Sequence, residues 1–449
     1  MIHGGVRAIF QTGDLVADQE TAQLRQFQFI RHGDQSSTTL DWESGPGIVQ
    51  KALGQALNAR NVAFLLGAGC SSLEIDGKQR GIPTMAPLAA EFCKHPLPPE
   101  LDDDLNFINP PKWGLTSEDV EFLNANGASL SETEYTWNLE RLMELLFSLA
   151  FIYRRSDKTS HSVSLKTVEG IINKVKTFLW ERCTEGVFAS GDNSLLGVYE
   201  SFYRRLVLRD RSLPRPWIFT TNYDLFNERA MDRLGLPYTN GFSGVVERRF
   251  NPATFRYALA EQLDVTSRKW SAVDGFVYLC KLHGSLSWTE DDHGLFPIRE
   301  VWPQDAASKV MIYPTPAKQN SSLGSPYSDL FREFQSRVVR EQSVLITAGF
   351  AFGDEHLNNI IYQALTIPSF RLIVFANPES KGEIAKLRAL SDERIWIIGG
   401  DGPDEKNPAH YFNVIVEHFM PQRQSDRIDD AVRLVIETMG ATKDATDGQ

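Results

Sequence analysis

The amino-acid sequence predicts an α/β fold in which helices cover both faces of a doubly wound parallel sheet, with a large helical insertion. Three observations lead to this prediction: short apolar runs, helical patterns between these runs, and one very long interval between the first two runs. Six continuous apolar runs have the length expected of strands that are buried on both faces. They occupy residues 62–66, 217–219, 276–282, 344–347, 372–375 and 395–398.

Helical patterns separate most of these runs. Apolar residues recur at intervals of three or four in the segments 48–59, 225–234, 327–340 and 357–365. Because a strand, a helix and a second parallel strand form the repeating unit of such a sheet, the alternation indicates a doubly wound fold.

The interval between the first two strands is about 150 residues long, far more than one crossover needs. It holds a proline- and acid-rich loop at 95–112 and helical patterns at 137–153, 165–180 and 195–208. We therefore expect a mostly helical insert at about 95–212.

This insert interrupts a sheet domain predicted at 48–400, which follows an N-terminal extension at 1–47. The C-terminal segment, 401–449, contains one amphipathic helical pattern at 428–439 and a polar tail. The turn-rich interval 288–325 is predicted to form an ordered loop or lid.

Composition limits the classes of partner. The 449 residues include 46 Lys and Arg against 58 Asp and Glu, a formal net charge of −12, so we expect no direct binding of nucleic acid. The N-terminus lacks an apolar targeting segment, and the longest apolar stretch, 145–153, is too short to cross a bilayer. Four cysteines without a CxxC pair fit a cytoplasmic protein with no zinc site.

Polar or glycine-containing loops follow five of the predicted strands, and ligands of open parallel sheets bind at this edge. The loops are GAGCSS at 67–72, TNYD at 221–224, HGS at 283–285, GFAFGDEH at 349–356 and ANP at 376–378. The glycines of GAGCSS would let backbone N–H groups approach a diphosphate, although such a turn is also common after any strand.

The order of these motifs resembles the Sir2 family over roughly residues 48–400. GAGCS is followed by GIP at 81–83, then TTNYD, then KLHGS, each at the end of a predicted strand. The resemblance implies a Rossmann-like sheet of Sir2 type and NAD+ as the ligand.

The resemblance also implies roles for single residues. Asn222 would hold the ribose or the attacking water, Asp224 would bind the nicotinamide carboxamide, and His283 would act as the base. The residues expected to contact NAD+ are Gly67, Ala68, Gly69, Ser71, Ile82, Pro83, Thr221, Gly349, Asp354 and Asn377. Of these, the first four would cradle the diphosphate, and Asn377 would lie near the adenosine.

Structural roles compete with these assignments. Asn222 and Asp224 could cap the helix that starts near residue 225, and Asp354 could cap the helix from 357. His283 could be a buried structural histidine.

Departures from the deacetylating sirtuins favour a zinc-free enzyme. The two CxxC pairs of their zinc module are missing, Thr84 follows GIP, and Ala351 replaces the serine of the later glycine motif. The pattern resembles bacterial Sir2-like proteins of antiphage defence, which hydrolyse NAD+ to nicotinamide and ADP-ribose.

Because uncontrolled NAD+ loss is toxic, this resemblance implies control by homo-oligomer formation and by a separate protein, either a HerA-type ATPase or a short Argonaute. ADP-ribose transfer, sirtuin-type deacylation and a non-catalytic NAD-sensing or assembly role remain alternatives.

Overall fold

The computed structural model describes residues 25–31, 38–75, 78–94, 113–155, 159–184, 193–207, 209–210, 212–264, 269–273, 275–290, 298–301, 310–312 and 326–422. The strands are β1 Gln26–Arg31, β2 Thr38–Asp41, β3 Asn61–Leu66, β4 Ser72–Ile75, β5 Lys78–Gly81, β6 Trp217–Thr220, β7 Tyr238–Thr239, β8 Phe242–Ser243, β9 Arg248–Phe250, β10 Ala260–Asp264, β11 Lys269–Ala272, β12 Val277–Lys281, β13 Gly284–Glu290, β14 Ile298–Glu300, β15 Val310–Ile312, β16 Ser343–Ala348, β17 Arg371–Phe375 and β18 Ile395–Gly400. The α-helices are α1 Gly45–Leu57, α2 Met85–Cys93, α3 Ser117–Ala125, α4 Thr133–Trp137, α5 Leu139–Arg154, α6 Thr159–Thr184, α7 Ser194–Leu206, α8 Phe226–Leu234, α9 Tyr327–Val338, α10 Glu355–Leu365, α11 Glu383–Ala389 and α12 Phe412–Val414.

A nine-stranded sheet in the order β2-β1-β18-β17-β16-β3-β6-β12-β7 organises the molecule. All neighbours from β18 to β7 are parallel. The six predicted strands are β3, β6, β12, β16, β17 and β18, which confirms the doubly wound α/β fold. Because the chain leaves β3 toward β6 and later returns to β16 on the other side of β3, the topological switch point lies between β3 and β16.

Both faces of the sheet are buried. In β3, Val62, Phe64 and Leu66 pack into one hydrophobic cluster, whereas Ala63 and Leu65 pack into another. The strands β16, β17 and β18 alternate in the same way. Since successive side chains of a strand point to opposite faces, these continuous apolar runs supply two cores at once.

The insertion shares the core of one face. Phe92 of α2 contacts Phe178 of α6, with 5.4 Å between ring centroids, and both belong to the cluster that holds Val62. The predicted helix 137–153 is interrupted, because Asn138 is extended (φ −149°, ψ 103°) and its side chain accepts a hydrogen bond from the N–H of Glu140. Asn138 therefore caps α5 and separates it from α4.

The N-terminal segment contributes to the sheet. β1 and β2 lie within the stretch predicted as an extension, and β1 pairs antiparallel with β18, with Phe27 opposite Gly400. Phe27 and Phe29 are buried. The sequence QFQFIR alternates polar and apolar residues, as is typical of a strand near a sheet edge.

The described chain ends on the face that α1 covers. A π-helical turn, Ile415–Phe419, follows α12, and Phe419 contacts Phe27 with 5.3 Å between ring centroids. The predicted helix at 428–439, the polar tail and the loop at 95–112 lie outside the described residues. Among the described helices, none combines the length and hydropathy needed to cross a bilayer.

A second, five-stranded antiparallel sheet corrects the prediction of a loop at 288–325. Its order is β15-β13-β14-β9-β8, and the described residues of that interval belong to β13, β14, β15 and their immediate flanks. Trp288 is fully buried and packs against Phe242 at a centroid distance of 5.2 Å. The turn-rich sequence did not predict these strands, because they are short and separated by long connections.

Candidate functional site

The loops after β3, β6, β12 and β16 meet at the carboxyl edge of the sheet and enclose a cavity of about 290 Å³. From these loops, the cavity is lined by Ala68, Ser71, Thr221, Asn222, Tyr223, Asp224, His283, Gly349, Phe350, Ala351, Gly353 and Asp354. Ile82 and Pro83 also line it. The structure thus brings together most of the predicted site residues, and it places them at the topological switch point.

Asn222 is held in one orientation by two hydrogen bonds. Its Nδ2 donates to the carbonyl oxygen of Gly67 (2.9 Å) and to Oγ of Ser71 (2.7 Å). A carbonyl oxygen can only accept, so the atom that faces Gly67 is the amide nitrogen. Because these bonds use both amide hydrogens, Asn222 can meet a ligand only through its acceptor, Oδ1.

Asp224 combines a hydrogen bond to the first N–H of α8 with a place on the cavity wall. Its Oδ1 accepts from the N–H of Phe226 (3.0 Å), the first residue of α8, and its Oδ2 accepts from the hydroxyl of Ser71 (2.6 Å). Ser71 therefore links Asn222 to Asp224 in one hydrogen-bonded chain. The predicted contact of Ser71 with a diphosphate stays a prediction.

His283 faces a carboxylate across the cavity. Gly284 has a positive φ of 97°, which lets the chain turn directly from β12 into β13 and leaves His283 at the bend. Nε2 of His283 lies 3.0 Å from Oδ2 of Asp354, and their side chains are only 8% and 12% exposed. A carboxylate accepts hydrogen bonds, so in the neutral imidazole this contact places the ring hydrogen on Nε2 and leaves the lone pair on Nδ1.

Asp354 also caps α10. Its Oδ1 accepts from the N–H groups of His356 (2.8 Å) and Leu357 (3.2 Å). The two carboxylate oxygens thus have separate functions, because one holds the start of the helix and the other holds His283. The pairing of Asp354 with His283 was not predicted.

Three glycines bring two loops into backbone contact at the switch point. A β-carbon at Gly67 would lie 2.4 Å from the carbonyl oxygen of Gly349, and one at Gly349 would lie 2.4 Å from the nitrogen of Cys70. The N–H groups of Gly67 and Gly69 donate to the carbonyls of Ala348 (2.9 Å) and Gly349 (3.0 Å). These glycines therefore permit close packing, and the diphosphate role of Gly67, Ala68 and Gly69 stays a prediction.

The insertion forms an apolar wall of the cavity that sequence reasoning missed. Its lining residues, together with those of α2, are Met85, Leu88, Trp137, Asn138, Glu140, Leu179 and Cys183. Trp137 is 67% exposed, at the junction of α4 and α5. Apolar spacing identified these segments as helices, but it carried no information on which helix would pack over the edge of the sheet.

Asn377 lies apart from the cavity lining. Its Oδ1 accepts from the N–H of Glu379 (3.0 Å) in the turn after β17, so its predicted role at the adenosine stays a prediction. Within the described ranges, no group of three or more His, Cys, Asp or Glu side chains is placed to hold a metal ion. All four cysteines are free and buried.

Comparison with known proteins finds a family match for one part of the chain. A search of curated proteins finds no match. Residues 216–398, about two-fifths of the chain, match the family model described as the SIR2-like domain. This segment contains Asn222, Asp224, His283 and Asp354, and the match supports a Sir2-type, NAD-related fold for the part of the chain that carries the polar end of the cavity.

Proposed function

We propose that the protein is an NAD+ glycohydrolase that cleaves NAD+ to nicotinamide and ADP-ribose. One observation carries the proposal: Asn222, Asp224 and His283 converge on a single cavity inside the segment that matches the SIR2-like domain. The cavity, about 290 Å³, is at the small end of the ~300–1,000 Å³ of typical ligand sites. It suits the nicotinamide riboside part of NAD+, with the ADP part extending along the sheet edge toward Asn377.

The polar groups have the chemistry that this reaction needs. Nicotinamide leaves with the electron pair of its bond to ribose C1′, and the ribose becomes oxocarbenium-like. Water attacks C1′ while its proton passes to Nδ1 of His283, and Oδ1 of Asn222 accepts a hydrogen bond from that water or from a ribose hydroxyl. One NAD+ and one water thus give nicotinamide, ADP-ribose and a proton. Asp224 would contact the carboxamide of nicotinamide.

Product analysis tests the proposal. Purified protein is incubated with NAD+ labelled in the adenylate phosphate, and the products are separated by chromatography. Free nicotinamide and free ADP-ribose in equal amounts are expected. Label on a protein or nucleic acid would instead show transfer, cyclic ADP-ribose would show cyclisation, and consumption that requires an acylated peptide would show deacylation. NAD+ that binds without being consumed, both with and without the protein of the neighbouring gene, would contradict the proposal.

We also propose that NAD+ depletion serves antiphage defence. Such an activity harms the cell that contains it, so it needs control by assembly into a homo-oligomer and by a separate regulatory protein, a HerA-type ATPase or a short Argonaute. Support comes from the resemblance of the motifs to zinc-free bacterial Sir2-like effectors. Product analysis with and without the protein of the neighbouring gene tests this control.

Replacing Asp354 by serine separates its two roles. Serine caps helices about as well as aspartate, but its side chain is too short to reach His283. We expect kcat for NAD+ cleavage to fall about 10- to 100-fold because the imidazole loses its orientation, with KM and the melting temperature little changed. Steady-state kinetics and thermal unfolding check this.

Asp354→Asn is the matched variant, because its Oδ1 keeps the cap while its Nδ2 can only donate to Nε2 of His283. This moves the ring hydrogen to Nδ1 and removes the basic lone pair, so the kcat of this variant is expected at or below that of Asp354→Ser. A rise in KM with unchanged kcat for Asp354→Ser would instead indicate that Asp354 contacts NAD+, as the sequence predicted.

Trp137 should contribute to substrate affinity. Its exposed indole at the cavity wall offers a flat surface for a ring of the dinucleotide, and such stacking contributes about 1–3 kcal/mol. Trp137→Ala is expected to raise KM for NAD+ about five- to tenfold, and Trp137→Phe much less. Trp270, 63% exposed on β11 and not part of the lining, provides the control variant Trp270→Ala. Equal KM values for the two alanine variants would refute this role.

A further inference from the structure

A lysine that solvent does not reach lies beneath the loop of Asn222 and Asp224. Lys281, the last residue of β12, is 0% exposed. Its Nζ donates to the carbonyl oxygens of Tyr223 (3.3 Å) and Asp224, and it lies 3.1 Å from Oε1 of Glu228. These three partners match the three hydrogens of an ammonium group.

The contacts of Lys281 join the elements that carry the proposed catalytic groups. Lys281 precedes His283 by two residues on the same strand end. Tyr223 lies between Asn222 and Asp224, and Glu228 lies in the first turn of α8. One side chain therefore connects the loop after β6, the start of α8 and the end of β12.

Backbone hydrogen bonds hold the same loop from the same side. The N–H of Leu286 donates to the carbonyl oxygen of Tyr223 (3.0 Å), and the N–H of Leu282 donates to that of Thr220 (2.8 Å). Lys281 donates to the carbonyl of Tyr223 as well, and to the carbonyl of Asp224 one residue nearer α8. The lysine thus holds the part of the loop where it enters α8.

Stability alone is a poor explanation for this arrangement. Removing an ammonium and a carboxylate from water is costly, and an apolar pair of similar size often stabilises a protein equally well. Burial raises the pKa of the Glu228 carboxyl to about 7, although Lys281 opposes the rise. A costly buried pair directly beneath a functional loop indicates a role in that loop's geometry.

We propose that Lys281 and Glu228 form a positioning pair, which fixes loop 221–225 against the end of β12 and so sets the placement of Asn222 and Asp224 relative to His283. The expected effect on kcat rests on the proposed NAD+ cleavage. The expected effect on the position of loop 221–225 does not, so the two effects can be tested separately.

The double variant Lys281→Met/Glu228→Met separates positioning from stability. Both charges are replaced by apolar side chains of similar length, which removes the cost of burying them but also removes the donor to the carbonyl of Asp224, so the midpoint of urea unfolding should fall less than that of Lys281→Met alone. Lys281→Met alone leaves a buried carboxylate without its partner and should unfold at lower urea. In the double variant, amide hydrogen exchange of residues 221–226 should be about tenfold faster, and kcat for NAD+ cleavage about 100-fold lower.

Lys174→Met is the matched control. Lys174 on α6 forms a partly buried ion pair with Asp119 on α3, with 2.5 Å between Nζ and Oδ2, and neither residue lines the cavity. This variant should lose some stability, with unchanged exchange at 221–226 and unchanged kcat.

Each outcome bears on one of the two proposals. Unchanged exchange in the double variant, or wild-type kcat from an active protein, overturns the positioning role. Faster exchange in the double variant supports the positioning role even when neither it nor the wild type consumes NAD+, and this inactivity contradicts the proposed NAD+ cleavage if it persists with the protein of the neighbouring gene. If the double variant does not fold, Glu228→Gln takes its place, because glutamine keeps the shape of the pair. This variant should show a smaller increase in hydrogen exchange at the same amides. Exchange equal to that of wild type would also overturn the positioning role.

Discussion

Replacing His283 by alanine should lower kcat for NAD+ cleavage about 100- to 10,000-fold, the range expected when a general base is lost. The imidazole offers Nδ1 as the base for the attacking water, and Asp354 orients the ring through Nε2. The affinity for NAD+ should change little, since His283 acts on the attacking water. Nicotinamide release at saturating NAD+ gives kcat, and titration calorimetry gives the affinity.

The matched control is His418→Ala. His418 lies on the π-helical turn, stacks edge-on against Trp42 at a centroid distance of 5.4 Å and does not line the cavity. This variant should keep the kcat of wild type. If His283→Ala also keeps it, the base lies elsewhere and the assignment of His283 is wrong.

Replacing Asn222 by aspartate should harm the protein more than replacing it by alanine, although aspartate has nearly the shape of asparagine. Asn222→Ala removes two hydrogen bonds, one to Ser71 and one to the carbonyl of Gly67, which still accepts from the N–H of Cys70 (2.9 Å). Each lost bond costs about 0.5–1.5 kcal/mol of unfolding free energy. Asn222→Asp also puts a carboxylate oxygen against that carbonyl and close to Ser71 and Asp224, so its loss of stability should be larger. Both variants should lower kcat about 100- to 1,000-fold.

Urea unfolding and nicotinamide release check these effects together. Asn126 supplies the control, because its Nδ2 also donates to a backbone carbonyl, that of Phe122 at 2.8 Å, on a helix end outside the cavity lining. Asn126→Asp should keep kcat. If Asn222→Asp is more stable than Asn222→Ala, the amide is oriented the other way and Oδ1 is not the group that faces the ligand.

The main sheet could be predicted because its central strands are buried on both faces. Such strands are continuous apolar runs, and all six runs form parallel strands of one sheet. β1 was missed because only one of its faces is strongly apolar and its alternation lasts six residues. β7 has two residues, too few for any periodic pattern, and the second sheet is assembled from short strands far apart in the sequence.

The candidate site could be predicted where residues stand at strand ends. Asn222, Asp224 and His283 follow the ends of β6 and β12 within four residues, so the topology alone brings them together. The contact between His283 and Asp354 spans 71 residues, and no local pattern encodes it. Lys281 lies inside the KLHGS motif, yet a lysine at the end of a strand is usually solvated, so its burial depends on Glu228 and on backbone carbonyls that only the folded chain supplies.

The most direct test of NAD+ cleavage at this cavity is a crystal structure of His283→Ala with NAD+, because the inactive variant retains the substrate and needs no activating partner. We predict that the bond between nicotinamide and ribose lies beside Oδ1 of Asn222, with the carboxamide at Asp224 and the diphosphate near the loops after β3 and β16. Electron density for NAD+ outside this cavity, or no bound NAD+ at saturating concentration, would contradict the proposal.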